Sequence, residues 1–297
     1  MAEAGFIPPG ATVNEAVRGL TKRFAAAGLP TPALDARLIA THVLGVSRER
    51  LFLDAARTLE TREADALQQA AMRRMAREPV SRITGVREFW GLPFKLAAAT
   101  LDPRADSEAV VRAALNIVDA TAGRQACVNI LDVGTGTGCL LLALLHEAPN
   151  AVGVGCDASA DALATARGNA EALGLAGRAS FVLSHWLGGV DGVFDLVVSN
   201  PPYVETAEIA RLEPEVAAHD PHLALDGGAD GLEAYAAIVP ALAGRLKTGG
   251  WALFEVGSGQ ARAVAEIMAN HGFAEIAVTR DLNGVERVVA GKSTAAS

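Results

Sequence analysis

Apolar residues recur along this chain in three different rhythms, and each rhythm predicts a different kind of structure. Over residues 1–78 they return every three or four positions: Leu34 and Leu38, Ile39 and Val43, then Leu67, Ala70, Ala71 and Met75. That spacing puts them on one face of a helix. Thr12 or Asn14 is a candidate cap for the first helix, and Thr61, with acidic residues close behind it, for the last. Pro79 cannot continue a helix and closes the region. A small N-terminal helical bundle is expected.

From residue 79 to 101 the pattern changes. Ile83, Phe89, Trp90, Phe94 and Leu96 gather around Gly85 and the Gly91-Leu92-Pro93 turn, as in a β-hairpin, expected here as the link between two domains. From 102 to 297 short apolar runs alternate with longer amphipathic stretches. Strands are predicted at 129–133, 152–156, 180–183, 195–199, 251–256, 274–278 and 287–290, and helices at 139–147, 160–173, 231–246 and 260–271. Such alternation predicts an α/β fold, a seven-stranded, mostly parallel, doubly wound sheet. The last two strands have no helix between them, which predicts an antiparallel edge strand.

Composition sharpens this picture. The chain has 297 residues, 51% hydrophobic and 20% charged, enough for a large core and a smaller satellite. Its net charge is −8, but unevenly placed: 11 basic and 9 acidic residues up to Glu78 give +2, leaving −10 for the remainder. Duplex nucleic acid is a poor match for an acidic chain. Cys127, Cys139 and Cys156 lie in or beside apolar segments without metal-ligand spacing and read as buried thiols. No leader pattern or membrane-length apolar run is found, so a cytoplasmic protein is expected, and nothing demands more than a monomer. Residues 292–297 read as a frayed tail.

Chemistry concentrates at strand ends. The run Ile130-Leu131-Asp132-Val133-Gly134-Thr135-Gly136-Thr137-Gly138 is a buried strand entering a glycine turn, where open α/β sheets bind ligands. A dinucleotide fingerprint wants glycine where Cys139 stands, which disfavours a dehydrogenase. The alternating glycines resemble motif I of class I methyltransferases, with Asp132 at the methionine end of S-adenosylmethionine. Asp157, ending the next strand, can take both ribose hydroxyls. In similar enzymes an aspartate follows the third strand to meet the adenine; here His185 occupies that place, and Trp186 can stack on the ring.

Asn200-Pro201-Pro202-Tyr203, directly after the fourth strand, is the most specific signal. The Asn200 side-chain carbonyl and the Pro201 main-chain carbonyl can both accept from one NH2 group, on a turn stiffened by two prolines. Tyr203 can cover the planar group. An amide nitrogen is a poor nucleophile because its lone pair is delocalised, and two well-placed acceptors favour pyramidalisation. Orientation and desolvation then carry the catalysis, without a metal.

With these residues the chain resembles the HemK/PrmC family, the N5-glutamine methyltransferases of peptide chain release factors, over nearly its whole length. Asp35-Ala36 with His42-Val43-Leu44-Gly45 is similar to that family's helical domain. Glu78-Pro79-Val80 and the stretch Thr84-Gly85-Val86-Arg87-Glu88-Phe89-Trp90-Gly91-Leu92-Pro93-Phe94 are similar to its connecting hairpin. Pro103-Arg104-Ala105-Asp106-Ser107-Glu108 resembles its Pro-Arg-Pro-Asp-Thr-Glu motif, with Ala105 in place of the second proline. Leu225-Asp226-Gly227-Gly228, Asp230-Gly231-Leu232, Asp281-Leu282 and Glu286-Arg287 complete the match.

The resemblance implies a class I methyltransferase (Rossmann-like) domain at 102–297, a helical substrate-recognition domain at 1–78 and a hairpin linker at 79–101. It implies S-adenosylmethionine held by Asp132, Gly134, Thr135, Gly136, Thr137, Gly138, Asp157, Trp186 and Asn200. The substrate is then the glutamine of the Gly-Gly-Gln loop in class 1 release factors, met by Asn200, Pro201, Pro202, Tyr203 and Arg104. Arg73, Arg74 and Arg77 are expected to help dock that partner. Two rival readings stay open: methylation of an exocyclic amine on a flipped nucleic-acid base, and a non-catalytic adenosyl-binding module. His219-Asp220-Pro221-His222 reads as a solvated loop rather than a metal site, and Glu213 and Glu215 as surface carboxylates near the substrate mouth.

Overall fold

The computed structural model describes residues 6–294. They divide into two compact units, one ending at Gly85 and the other starting at Val86. The first contains helices α1 (Val13–Ala26), α2 (Pro32–Leu44), α3 (Arg48–Leu53), α4 (Thr61–Met75) and α5 (Val80–Thr84). Thr12 is the cap of α1: its hydroxyl accepts from the Glu15 amide at 3.3 Å, and the Glu15 carboxylate accepts from the Thr12 amide at 2.8 Å. In α4, Thr61 is already helical and the cap is Glu60, whose amide donates to the Glu63 side chain at 2.9 Å. Leu20, Phe24, Ile39 and Leu67 form the centre of the bundle.

Arg74 lies inside this bundle. Its Nε donates to Asp35 Oδ2 at 2.7 Å, and both side chains are almost inaccessible. The Thr31 hydroxyl also donates to Asp35 Oδ1 at 2.7 Å, and Arg74 Nη1 donates to the Glu78 carbonyl at 3.3 Å. Arg74 therefore cannot dock a partner; it ties α4 to α2, where loss of either charge would strand the other. Arg73 is paired with Glu78, and Arg77 reaches the Gly28 carbonyl at 3.5 Å.

Pro79 does not end the helical unit. It caps α5, because the N-terminal position is the one place in a helix that needs no proline N–H. The hairpin, β1 (Val86–Phe89) and β2 (Leu92–Lys95), belongs by packing to the second unit. Its two-residue turn has positive φ at both Trp90 (54°) and Gly91 (71°), a type I′ turn. Phe89 and Phe94 enter the second unit's core edge to face.

The second unit continues with α6 (Glu108–Thr121), β3 (Asn129–Val133), α7 (Cys139–Glu147), β4 (Val152–Asp157), α8 (Ala160–Ala172), β5 (Ala179–Leu183) and β6 (Phe194–Ser199). A long excursion carrying α9 (Pro214–Ala217) follows. Then come α10 (Glu233–Ala241), β7 (Leu246–Glu255), α11 (Ala261–Asn270), β8 (Phe273–Arg280) and β9 (Glu286–Ser293). Every predicted strand is present, with ends extended by up to five residues. The helix predicted at 231–246 stops at Ala241, and Leu246 instead opens β7. Helix α6 has no counterpart in the sequence prediction, although Glu108, Arg112, Asn116 and Asp119 recur at four- and three-residue steps opposite the buried Val110, Val111, Ala114, Leu115 and Val118, a helical period that the prediction passed over.

The sheet runs β5-β4-β3-β6-β7-β9-β8. The antiparallel strand is β9, which lies between β7 and β8, so the edge strand β8 points the same way as the parallel set. A strand entered by a tight turn from β8 pairs beside it and fills the gap next to β7. Successive residues of the central strands face opposite cores. Ile130, Leu196 and Leu253 pack under α6 and α7; Leu131, Val197 and Phe254 pack under α10 and α11. Chain order reverses between β3 and β6, and the crevice at their carboxyl ends is where such sheets receive ligands.

Of the cysteines, only Cys156 is buried; Cys139 is half-buried and Cys127 is exposed, just before β3 rather than within it. Lys292 and Ser293 are ordered parts of β9, and Thr294 bonds the Gly272 carbonyl; residues 295–297 lie outside the described ones. No helix among the described residues is long and apolar enough to cross a membrane.

Candidate active site

The glycine turn is held by backbone bonds rather than by side-chain bulk. The amides of Gly134 and Thr135 both donate to the Cys156 carbonyl at 2.9 Å, and Gly138 opens α7 at φ 82°. A Cβ on Gly138 would also lie 3.1 Å from Leu142 and 3.3 Å from Ala166, so the glycine serves both conformation and packing. Asp157 is bonded on both oxygens: Oδ2 accepts from the Gly136 amide and Oδ1 from the Ser159 amide, each at 2.9 Å. Asp132, fully buried at the end of β3, takes the Thr135 hydroxyl on Oδ2 at 2.7 Å, while Oδ1 has no partner. Burial pushes its carboxyl up to about 7, against the opposing pull of Thr135.

The loop after β5 brings Trp186 to the same crevice in a left-handed conformation, φ 50°, unusual for a bulky residue. Its carbonyl receives the Cys156 thiol at 3.4 Å, and its ring meets His185 edge to face.

The sequence Asn200 to Tyr203 leaves the end of β6, one strand from the glycine turn. Val133 pairs with Ser199, and the Ser199 hydroxyl donates to the Val133 carbonyl at 2.7 Å, so the two turns start side by side. Asn200 Nδ2 donates to Ser107 Oγ at 3.1 Å, which leaves the amide oxygen as the group turned to other partners. The Tyr203 hydroxyl donates to Glu255 Oε1 at 3.2 Å, and the Tyr203 carbonyl accepts from Gln260 Nε2 at 3.0 Å. Burial beside Glu255 raises the Tyr203 phenol well above its ordinary range.

Between these turns lies a cavity of about 310 Å³, near the lower end of the ~300–1,000 Å³ typical of small-molecule sites. Gly134, Thr135, Gly136, Thr137, Asp157, Trp186, Asn200 and Pro202 all line it, with His185 beside Trp186. Asp132, Gly138, Pro201 and Tyr203 are not part of its lining. Arg104 does not line the cavity itself; its partly exposed side chain donates from Nη2 to Asp220 Oδ2 at 2.7 Å. Asp220 is correspondingly not a solvated loop residue. Its carboxylate is buried and also takes the Asp102 amide at 3.2 Å, pinning the excursion after β6 to the segment before α6. Of the two carboxylates expected at the surface, Glu213 is exposed and Glu215 half-buried.

Several residues that shape the site had no role in the sequence reading. Ser107, Glu255, Gln260 and Arg287 support the Asn200–Tyr203 turn, and Gly227, Gly231 and Gly257 make room for it. A Cβ on Gly231 would come within 2.4 Å of the Tyr203 carbonyl oxygen. The available signal was the unexplained pair of motifs around Gly227 and Arg287.

Comparison with known proteins follows the same division. Residues 15–85 match the PrmC N-terminal domain family, and 114–224 match the methyltransferase small domain family, which contains both turns. The release factor glutamine methyltransferase of Bradyrhizobium diazoefficiens is 48% identical over 95% of either chain. This chain belongs to the release factor glutamine methyltransferase family. Other members are similarly related: that of Rhodospirillum rubrum is 48% identical over 92% of this chain and 83% of its own, and that of Cereibacter sphaeroides 42% over 95% and 99%. Among solved structures, the hMettl16 catalytic domain in complex with a MAT2A 3'UTR hairpin superposes with a TM-score of 0.55 at 16% identity, covering 80% of this chain and 85% of that one. That likeness shows the shared methyltransferase fold. As a member of the release factor glutamine methyltransferase family, the chain is a methyltransferase.

Proposed function

We propose that this enzyme moves a methyl group from S-adenosylmethionine to the side-chain nitrogen (N5) of the glutamine in the Gly-Gly-Gln loop of class 1 release factors. The observation that carries the reading is the pairing of β3 with β6, which sets the glycine turn and Asn200 on one cavity, with the Asn200 NH2 engaged by Ser107.

The residues present fit the cofactor. Asp132 has a buried oxygen without a partner, suited to the cationic methionine end. Asp157 keeps spare lone pairs on both oxygens for ribose hydroxyls after serving the backbone. Trp186 offers a flat apolar wall, and His185 a ring nitrogen, where adenine would lie. Bound there, S-adenosylmethionine supplies an electrophilic methyl group. The chain's own part is to bind and orient the nucleophile. Asn200 Oδ1 and the Pro201 carbonyl accept from the glutamine NH2, drawing its hydrogens to one side and its lone pair to the other. Pro202 closes the wall and Tyr203 backs it, keeping water from competing. The proton leaves after transfer, so no strong base is required at the nitrogen.

Transfer of labelled methyl to a purified class 1 release factor, lost when its loop glutamine becomes alanine, is the expected result. DNA and RNA offered in parallel should stay unlabelled; labelling of either would replace the glutamine reading with exocyclic-amine methylation.

A further inference from the structure

Just before α6 the chain makes a short run, Pro103 to Glu108, in which each polar side chain engages a different part of the second unit. Arg104 reaches Asp220 in the excursion after β6, at 2.7 Å. Asp106 Oδ2 accepts from Arg287 Nη2 at 3.1 Å, at the start of β9. Glu108 Oε1 accepts from the Trp90 amide at 2.9 Å, in the hairpin turn. Ser107 takes the remaining direction: it is buried, and its oxygen accepts from Asn200 Nδ2 at 3.1 Å. Pro103 and Ser107 also line the cavity.

Asn200 has little else to hold it. Among the described residues, the bond to Ser107 is the one hydrogen bond its side chain makes. An amide held by a single bond is only as well placed as its partner. Ser107 belongs to a 3₁₀ turn, Ala105–Ser107, and the side-chain contact made by its neighbour Asp106 goes to Arg287. Arg287 is anchored in its own right. Its Nε donates to Asp281 Oδ2 at 3.1 Å, and its carbonyl accepts from the Val256 amide at 2.9 Å. Asp281 in turn takes the Asn283 and Val285 amides at 2.8 and 3.0 Å. An unbroken path of hydrogen bonds and one step along the chain therefore runs Asp281, Arg287, Asp106, Ser107, Asn200.

We propose that the Arg287–Asp106 pair positions the methyl-acceptor site: it fixes the turn that carries Ser107, and through Ser107 it holds the Asn200 side chain at the cavity. Neither member of the pair lines the cavity, so its influence on the reaction passes through Asn200. The forked guanidinium suits the task, because one group must bridge Asp281 and Asp106 from fixed directions. This deepens the glutamine reading and rests on it for the turnover measurements, but the placement of Asn200 does not depend on the substrate.

Asp106→Ala removes the contact at a partly exposed position. Turnover on release factor should fall about tenfold to a hundredfold, the scale for a reacting group displaced by about an ångström, while calorimetric affinity for S-adenosylhomocysteine is kept. Asp106→Asn, which retains an acceptor for Nη2, should restore most of the rate. The deciding measurement is a double variant. In an Asn200→Ala background, Asp106→Ala should cost nothing more, because the residue through which it acts has gone. An equally large fall in that background overturns the proposal, as does wild-type turnover in Asp106→Ala. The Asn200 side-chain amide resonances, read by NMR in the intact protein, should move in Asp106→Ala and return in Asp106→Asn; resonances unmoved by Asp106→Ala overturn the proposal too. Arg287→Met should show the same loss together with lower stability, since it strands the buried Asp281 carboxylate. If it fails to fold, the Asp106 variants decide. A wild type that labels no glutamine would instead remove the proposed function, and the Asn200 resonances would still judge the placement.

Discussion

The two halves of the cavity are built by different means. On the cofactor side the shaping bonds are local, made within a short stretch or between neighbouring strands, and two of the four are backbone to backbone: Gly134 and Thr135 to Cys156, Gly136 to Asp157, Thr135 to Asp132. On the acceptor side they are side-chain bonds between distant segments, from Asn200 to Ser107, Tyr203 to Glu255, Gln260 to Tyr203 and Arg287 to Asp106. A site of the first kind depends on few contributors, all close to one another in the sheet. A site of the second kind fails when any one contributor moves, and it should be the more fragile in turnover and the more sensitive to pH.

The sharpest break between the halves is expected from Asn200→Ala. Turnover on release factor should fall by about 10²–10³, the scale for removing one preorganised hydrogen-bonding group, while cofactor affinity measured by calorimetry changes little. A parallel collapse of affinity would mean that the two halves are not separable. Next comes Gly231→Ala. At φ 71°, with Tyr203 and Gln260 in the way of a Cβ, it should destabilise the protein by roughly 1–3 kcal/mol in denaturant unfolding and slow turnover as well.

Asp157→Ala should do the reverse of Asn200→Ala. Loss of its charged hydrogen bonds should weaken the cofactor by about 1.5–3 kcal/mol in equilibrium binding, with turnover at saturating cofactor nearly intact. The smallest effect is a proton. Asp132 sits at about 7 when folded, above its unfolded value of 3.8, so the fold binds more protons than the unfolded chain between those limits. Its contribution to stability is fully present below the lower limit and is lost as pH rises toward 7. A cationic ligand beside Oδ1 should pull that carboxyl down and release part of a proton near pH 6–7. Calorimetry in buffers of different ionisation enthalpy would detect it, and Asp132→Asn should abolish it.

The same contrast explains what was legible beforehand. Glycine spacing, the aspartates at 132 and 157, and the Asn200–Tyr203 run announce themselves because each is contiguous or follows a strand end. Glu255 does not, being an acidic residue that closes an apolar strand, and Ser107, although it lies in the Pro103–Glu108 run, stands 148 positions away from it. Arg104 gave no sign of its partner, because Asp220 sits 116 residues away in what reads as a polar loop. Arg74 misled in the same way, being matched to Asp35 from 39 positions back. The fold was readable except for α6, whose helical period was legible but passed over, and for the insertion of β9 between β7 and β8, where pattern was uninformative. Register between strands is set by tertiary pairing, which hydrophobic alternation does not encode.

One side chain carries a lesson in modularity. Asn169, on α8, accepts from the Lys95 amide at 2.9 Å, donates to the Lys95 carbonyl at 3.2 Å, and donates to the Thr137 carbonyl of the glycine turn at 2.9 Å. The hairpin and the cofactor turn thus share a single buried fastener. A catalytic half cut out at residue 102 would keep the glycine turn and the Asn200–Tyr203 run yet leave that amide with one of its three bonds, while one cut before Val86 would carry the hairpin along. Where a domain can be divided is decided here by hydrogen-bond partners and not by where its signature motifs begin.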